Sequence, residues 1–108
     1  MDNNIDNIRN KITVLIPTLN EGLSVAEVIT LSRKYSEDIL VIDGHSQDNT
    51  TAIARSLGAR VIFDHKKGKG DAIRTAIPHI KKEIAVFIDG DGSHDPNDIP
   101  RLVRPILE

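Results

Sequence analysis

Two aspartates stand two positions apart at Asp89 and Asp91, each followed by a glycine, directly behind the apolar run Ile84–Ile88. Carboxylates at that spacing at the end of a strand can face one hard cation, directly or through water. Magnesium and manganese both take oxygen ligands that they share with a diphosphate. Gly90 and Gly92 let the backbone turn tightly and come close to a ligand. The structural alternative is a solvated acidic turn. An EF-hand calcium loop beginning at Asp89 is excluded, because His94 stands where glycine is required and Pro100 where the bidentate glutamate belongs.

Three more polar segments follow apolar runs in the same way. Behind Ile12–Ile16 comes Pro17-Thr18-Leu19-Asn20-Glu21. Pro17 fixes the chain direction leaving that run, and Asn20 or Glu21 is expected to start a helix whose N-terminal amides could meet an anion. Behind Ile39–Ile42 comes Asp43, a carboxylate able to accept from the N–H groups of a base or from ribose hydroxyls. Ser46 and Asp48 are read as caps of the next helix and His45 as a surface histidine. Behind Arg60–Phe63 comes the basic, glycine-containing segment Lys66–Gly70, including Lys69, which could lean on phosphates or simply be solvated. It is not a P-loop, since Gly70 is followed by Asp71 and no Gly-Lys-Ser/Thr occurs.

The elements that must position these segments are short and alternate in type. The four runs are rich in Ile and Val, as buried parallel strands are. Between them lie helical stripes. Val25, Val28, Ile29 and Ser32 share one face, and Ile53 and Leu57 precede the stop Gly58. Ala72, Ile73, Ala76, Ile77 and Ile80 form a third stripe that Pro78 kinks or ends. Asp95-Pro96 is expected to cap and open a last helix whose apolar face is Ile99, Leu102, Val103, Ile106 and Leu107. Alternation of this kind predicts an α/β fold with a parallel sheet and right-handed crossovers. Ligands of such sheets sit beyond the carboxyl ends of the strands, so all four polar segments are predicted to gather on one edge.

Composition narrows the partners. With 108 residues, 39% hydrophobic and 28% charged, the chain reads as one globular domain over residues 11–108 behind a polar segment at 1–10. A net charge of −2 gives no field for capturing nucleic acid. The absence of cysteine excludes disulfides and thiolate metal sites, and a cytoplasmic location is expected. No apolar run approaches the roughly 20 residues that a membrane span requires.

Taken together, four stretches resemble the family 2 glycosyltransferases, particularly the polyprenol-phosphate sugar transferases. They are Ile16–Glu21; Val41–Gly44 with Ser46 and Asp48; Gly68-Lys69-Gly70-Asp71-Ala72; and Phe87–Pro96. The resemblance runs from about Lys11 to the C-terminus. It implies a GT-A fold, a three-layer αβα Rossmann-like parallel sheet that uses a UDP- or GDP-linked sugar with Mg²⁺ or Mn²⁺. By that resemblance Pro17, Thr18 and Glu21 line the nucleotide pocket and Asp43 contacts base or ribose. Asp89 and Asp91 serve the ribose and the metal-bound diphosphate, and Ser93 stands where some relatives place a further metal-contacting side chain. Many members carry a second Asp after Asp43, where this chain has Gly44.

Family members build the acceptor side from a segment after the aspartate pair, so the acceptor site and its general base are expected outside these residues. The chain then reads as a truncated donor-binding half, or as a donor half that works with another chain. If the acceptor is a lipid phosphate, the cytosolic face of a membrane is the expected place. Two alternatives are a nucleotide-sugar-binding module that transfers nothing and a haloacid-dehalogenase-like phosphatase, whose nucleophile motif also puts D-x-D behind a strand. For the latter only fifteen residues follow Ser93 (108 less 93), too few for its other motifs. The last apolar helix and an unpaired sheet edge predict self-association, most simply as a homodimer.

Overall fold

The computed structural model describes residues 8–67 and 69–107, and the Lys69 side chain lies outside that description. The elements run β1 (Ile12–Thr18), α1 (Val25–Ser32), β2 (Asp38–Asp43), α2 (Thr50–Ser56), β3 (Arg60–Phe63), α3 (Lys69–Ala76), β4 (Ile84–Phe87) and α4 (Ile99–Leu107). Short 3₁₀ turns at Ile77–His79 and Pro96–Asp98 lead out of α3 and into α4. The four strands form one parallel sheet in the order β3-β2-β1-β4.

The pleat decides which helices cover which face, because successive side chains alternate across a strand. Ile12, Val14 and Ile16 of β1, with Ile39 and Val41 of β2 and Ile84 and Val86 of β4, pack under α1, α2 and α4. Leu15, Leu40 and Ile42 face the other way, onto Ala72 and Ala76 of α3. The chain steps β1 to β2 to β3 over one face, then returns past β1 to β4 over the other. Crossovers of constant hand require that change of face when the direction reverses. The reversal leaves a switch point between β1 and β4, and ligands of open α/β sheets bind outside the strand ends at such points.

Several boundaries differ from the sequence expectation. β1 does not stop at Pro17 but continues to Thr18, opposite Ile42 and Asp43 of β2. Proline is tolerated here because its missing N–H would face the β4 side, where the ladder has already ended at Phe87 opposite Leu15. The Pro17 carbonyl on that side accepts from Gly90 N. The helix expected from Asn20 or Glu21 begins only at Val25. Ile8, inside the segment read as polar, is buried in the core under α1. Pro78 acts as expected, since α3 ends at Ala76 and a 3₁₀ turn carries the proline. In α4 only Ile99 and Val103 are buried, while Leu102, Ile106 and Leu107 stay exposed, so the apolar stripe is half covered.

Candidate functional site

Because the strands are parallel, the four loops at their carboxyl ends share one edge. The loops after β1 and β2 are stitched together. Asn20 N donates to Ser46 Oγ at 2.7 Å, and Gln47 N returns a bond to Asn20 Oδ1 at 2.8 Å. Glu21 N donates to Thr50 Oγ1 at 2.9 Å, and Gly22 N to Asp48 Oδ2 at 3.0 Å. Asn20 makes both of its bonds from a left-handed backbone, φ 56°, a region that asparagine tolerates better than most residues. The side chains of Ser46, Asp48 and Thr50 are thus committed to bracing the first loop. The sequence expectation that Ser46 caps α2 is not met; the cap position belongs to Asn49, while Asp48 does accept from Thr50 N, at 2.9 Å.

Asp43 is fully buried at the end of β2. Its Oδ1 accepts from Thr18 Oγ1 at 2.7 Å and from Ser46 Oγ at 2.6 Å, and its Oδ2 accepts from Ser46 N at 2.6 Å. The β1–β2 register sets Thr18 directly opposite Asp43. The carboxylate therefore anchors the floor of the site from below, with Thr18 and Ser46 between it and the open edge.

Beside this floor lies the loop after β4. Gly90 N donates to Pro17 O at 3.3 Å, and Ser24 Oγ donates to Gly90 O at 2.6 Å. Ser24 stands at the N-cap of α1 but directs its hydroxyl to this loop instead of to the helix. The approach to β1 is close enough to require glycine. A Cβ at residue 90 would sit 2.7 Å from Thr18 Cγ2, 3.2 Å from Pro17 O and 3.4 Å from Ile16 Cγ2. Thr18 cannot turn aside without leaving Asp43. Gly90→Ala is accordingly expected to cost about 1–3 kcal/mol of folding free energy, the usual range for overpacking a tight site. Urea unfolding monitored by circular dichroism measures it, and an unchanged midpoint would contradict the packing account.

Within the loop, Gly92 reverses the chain at φ 85°, and Asp91 Oδ1 accepts from Ser93 N at 2.8 Å. The Ser93 hydroxyl and amide hold the Asp91 carboxyl below the usual carboxylate range. Asp89 is half exposed, with His94 Nε2 at 3.6 Å from its Oδ2. Across the gap, burial pushes the Glu21 carboxyl up, and the charges of Asp91, Asp48 and Asp89 push it the same way. Like charges gathered against a partly buried carboxyl mark a place where a cation would be stabilised.

Among the described residues no three His, Asp or Glu side chains are already arranged to hold a metal ion. The candidate donors, the Asp89 and Asp91 carboxylates and the Ser93 hydroxyl, are all hard oxygen ligands. That suits an octahedral cation which keeps water or takes its remaining ligands from phosphates, rather than one caged by protein alone.

The third loop is organised by a residue that sequence reasoning passed over. Asp71, buried in the first turn of α3, accepts from His65 N at 2.6 Å and Lys67 N at 3.1 Å. Burial alone would raise its carboxyl, but the Lys67 and His65 amides bring it below the ordinary value. Gly68 and the Lys69 side chain, expected near phosphates, lie outside the described residues. His45 is on the surface as expected, its Nε2 on Asp64 O at 2.8 Å. Asp71, Ser24 and His94 were the residues missed. Asp71 and His94 stood within the motif stretches, but their partners depend on tertiary approach.

Comparison with known proteins adds an independent finding. The model of a protein family described as Glycosyl transferase family 2 matches residues 13–108. Glycosyltransferase AglJ of Haloferax volcanii is 36% identical over 99 residues, covering 90% of this chain and 33% of that protein. The undecaprenyl-phosphate 4-deoxy-4-formamido-L-arabinose transferase of Klebsiella pneumoniae is 32% identical, covering 87% of this chain and 33% of that one. Among solved structures, glucosyl-3-phosphoglycerate synthase of Mycobacterium tuberculosis, in complex with Mn²⁺, UDP and glucosyl-3-phosphoglycerate, is similar with a TM-score of 0.80 and 31% identity. It covers 91% of this chain and 40% of that one. The chain thus spans about a third of the length of these two curated relatives.

Proposed function

This chain belongs to glycosyl transferase family 2, and we propose that it forms the donor-binding part of a glycosyltransferase that uses a nucleoside-diphosphate sugar and a divalent cation. The observation that carries this reading is the position of Asp89 and Asp91 in the loop after β4, across the switch point from Glu21 in the loop after β1, near enough that their charges help to raise the Glu21 carboxyl. Family membership sets the phosphatase alternative aside. The Mycobacterium tuberculosis relative, solved with Mn²⁺ and UDP, supports a uridine nucleotide and manganese as the first ligands to try.

In this reading Asp89 and Asp91, with Ser93 beside them, hold the cation. When bound, the ion supplies positive charge to a departing diphosphate. The chain's own residues do the rest. Pro17 and Thr18 present the end of β1 as the floor under the nucleotide, and Asp43 fixes Thr18 in place. Glu21 closes the side nearest α1, and the Gly90–Gly92 backbone lets the phosphates approach. Lys69, at the start of α3, is a candidate phosphate contact. The acceptor is a polyprenyl phosphate or a glycan, and the Klebsiella relative's name lends support to the former. Among the described residues no helix is long and apolar enough to cross a membrane.

Isothermal titration calorimetry with UDP, GDP and their glucose and mannose conjugates, each with and without MnCl₂, tests this reading. Manganese-dependent binding of one nucleotide is the expected result; no binding of any of them would end the proposal.

The same 108-residue polypeptide is expected to self-associate. Among the described residues β4 pairs only with β1, leaving its other edge free. Phe87 on the face away from α4, Ile73 and Ile77 near α3, and Ile106 at 66% exposure add apolar surface. Sedimentation velocity at micromolar concentration should show a dimer, and a monomer throughout would show that these surfaces stay solvated.

A further inference from the structure

We propose that His94 is a positioning residue that sets the direction of the Asp89 carboxylate. The proposal rests on the reading of Asp89 and Asp91 as cation-holding residues. Asp89 N donates to His94 Nδ1 at 3.2 Å. A ring nitrogen that accepts carries no proton, so in the neutral ring the proton sits on Nε2. That Nε2 lies 3.6 Å from Asp89 Oδ2. One imidazole therefore accepts from the main-chain N–H of Asp89, closing the loop from 89 to 94 into a ring, and sets its Nε2–H beside the side-chain oxygen of the same residue, just beyond hydrogen-bond length.

Two features separate orientation from other roles. The first is exposure: the His94 and Asp89 side chains are 52% and 49% exposed. A pair that open contributes little to folding, so its consequence lies in where the carboxylate points. The second is the lone pair. A neutral imidazole can ligate a metal only through its unprotonated nitrogen, and here that nitrogen is taken by the Asp89 amide. His94 thus steers Asp89 toward the cation without being a ligand. Residues set behind ligating carboxylates commonly carry roughly 10- to 100-fold of metal affinity, and a contact of 3.6 Å belongs at the low end of that range.

Three variants of the full chain separate the two ring nitrogens. His94→Asn places an oxygen where Nδ1 stands and keeps the acceptor for the Asp89 amide, but does not reach the carboxylate. His94→Gln places its amide near Nε2 and keeps an N–H beside Asp89 Oδ2. His94→Ala removes both. We expect Mn²⁺ affinity in the presence of UDP, read by electron paramagnetic resonance of free Mn²⁺, to fall about tenfold in Ala and Asn. Gln should restore most of it, while metal-free UDP binding stays at the wild-type level. Unchanged Mn²⁺ affinity in Ala and Asn would overturn the proposal. So would imidazole nitrogen coupling to bound Mn²⁺ lost in the variants, which would make His94 a ligand. Loss of metal-free UDP binding together with the metal would assign His94 to folding of the loop, and would overturn the positioning role as well. If the wild-type chain itself binds no Mn²⁺ with UDP, the donor-site reading fails first; wild-type binding with indifferent variants removes only His94.

Discussion

Replacing Asp91 with Asn is expected to abolish most of the manganese-dependent gain in UDP affinity, a loss of about 100-fold, while the melting temperature stays within about 2 °C. The asparagine oxygen can still accept from Ser93 N, so the turn keeps its internal bond. What disappears is the negative charge. Asp91 is exposed, so folding depends little on it. A second readout follows from the electrostatics. The Asp91 charge is, after burial, the largest cause of the upward shift of the Glu21 carboxyl. In the metal-free Asp91→Asn chain that carboxyl should titrate closer to its ordinary value by nuclear magnetic resonance. Full manganese dependence in the variant would remove Asp91 from the site.

Asp43→Ala acts in the opposite way, on the fold before the ligand. The substitution strands three donors at once: Thr18 Oγ1, Ser46 N and Ser46 Oγ. Leaving buried donors unpaired costs about 1–3 kcal/mol each, partly offset where the exposed side of Ser46 finds water. A net loss of about 3 kcal/mol, or roughly 12–20 °C in melting temperature for a domain of this size, is the expected result. Asp43→Asn should be milder, because one oxygen still serves Thr18 and the Ser46 hydroxyl, while its NH₂ faces the Ser46 amide. Differential scanning calorimetry of the two variants measures the difference. A melting temperature like that of wild type in Asp43→Ala would mean that the carboxylate is free for a ligand after all.

These two aspartates also show what the amino-acid sequence reveals and where it stops. The strands were legible because β-branched runs of four or five residues, punctuated by polar segments, fit little else than a buried parallel sheet. That strand-end loops share an edge follows from parallel pairing alone, so the region of the site was legible too. The role of Asp43 was less so, because it depends on register. Only when Thr18 is placed opposite Asp43 does the carboxylate become an internal anchor as well as a candidate for ribose. The start of α1 differs from expectation for a related reason. Asn20 has the side chain of a cap, but it caps nothing; it exchanges bonds with Ser46 and Gln47, residues 26 and 27 positions away. Pro17 punctuates the sequence locally, yet the strand runs through it because the neighbouring strand has already ended on that side. Local chemistry names the actors in each case, and the partner comes from an approach that no local pattern encodes.

The stitching between the first two loops has a consequence in time as well as in space. The amides of Asn20, Glu21, Gly22 and Gln47 belong to no strand or helix ladder, yet each donates to a side chain across the seam, in the opposite loop or, for Glu21, in the first residue of α2. Opening any one of them requires the two loops to part, so these four amides should exchange with deuterium as a group and far more slowly than isolated loop amides do. A ligand arriving at this wall finds it already set. The ordering entropy, on the order of 0.5–1.5 kcal/mol for each side chain immobilised on binding, was given up during folding. Any gating motion at this end of the sheet must therefore be sought outside this stitched pair of loops.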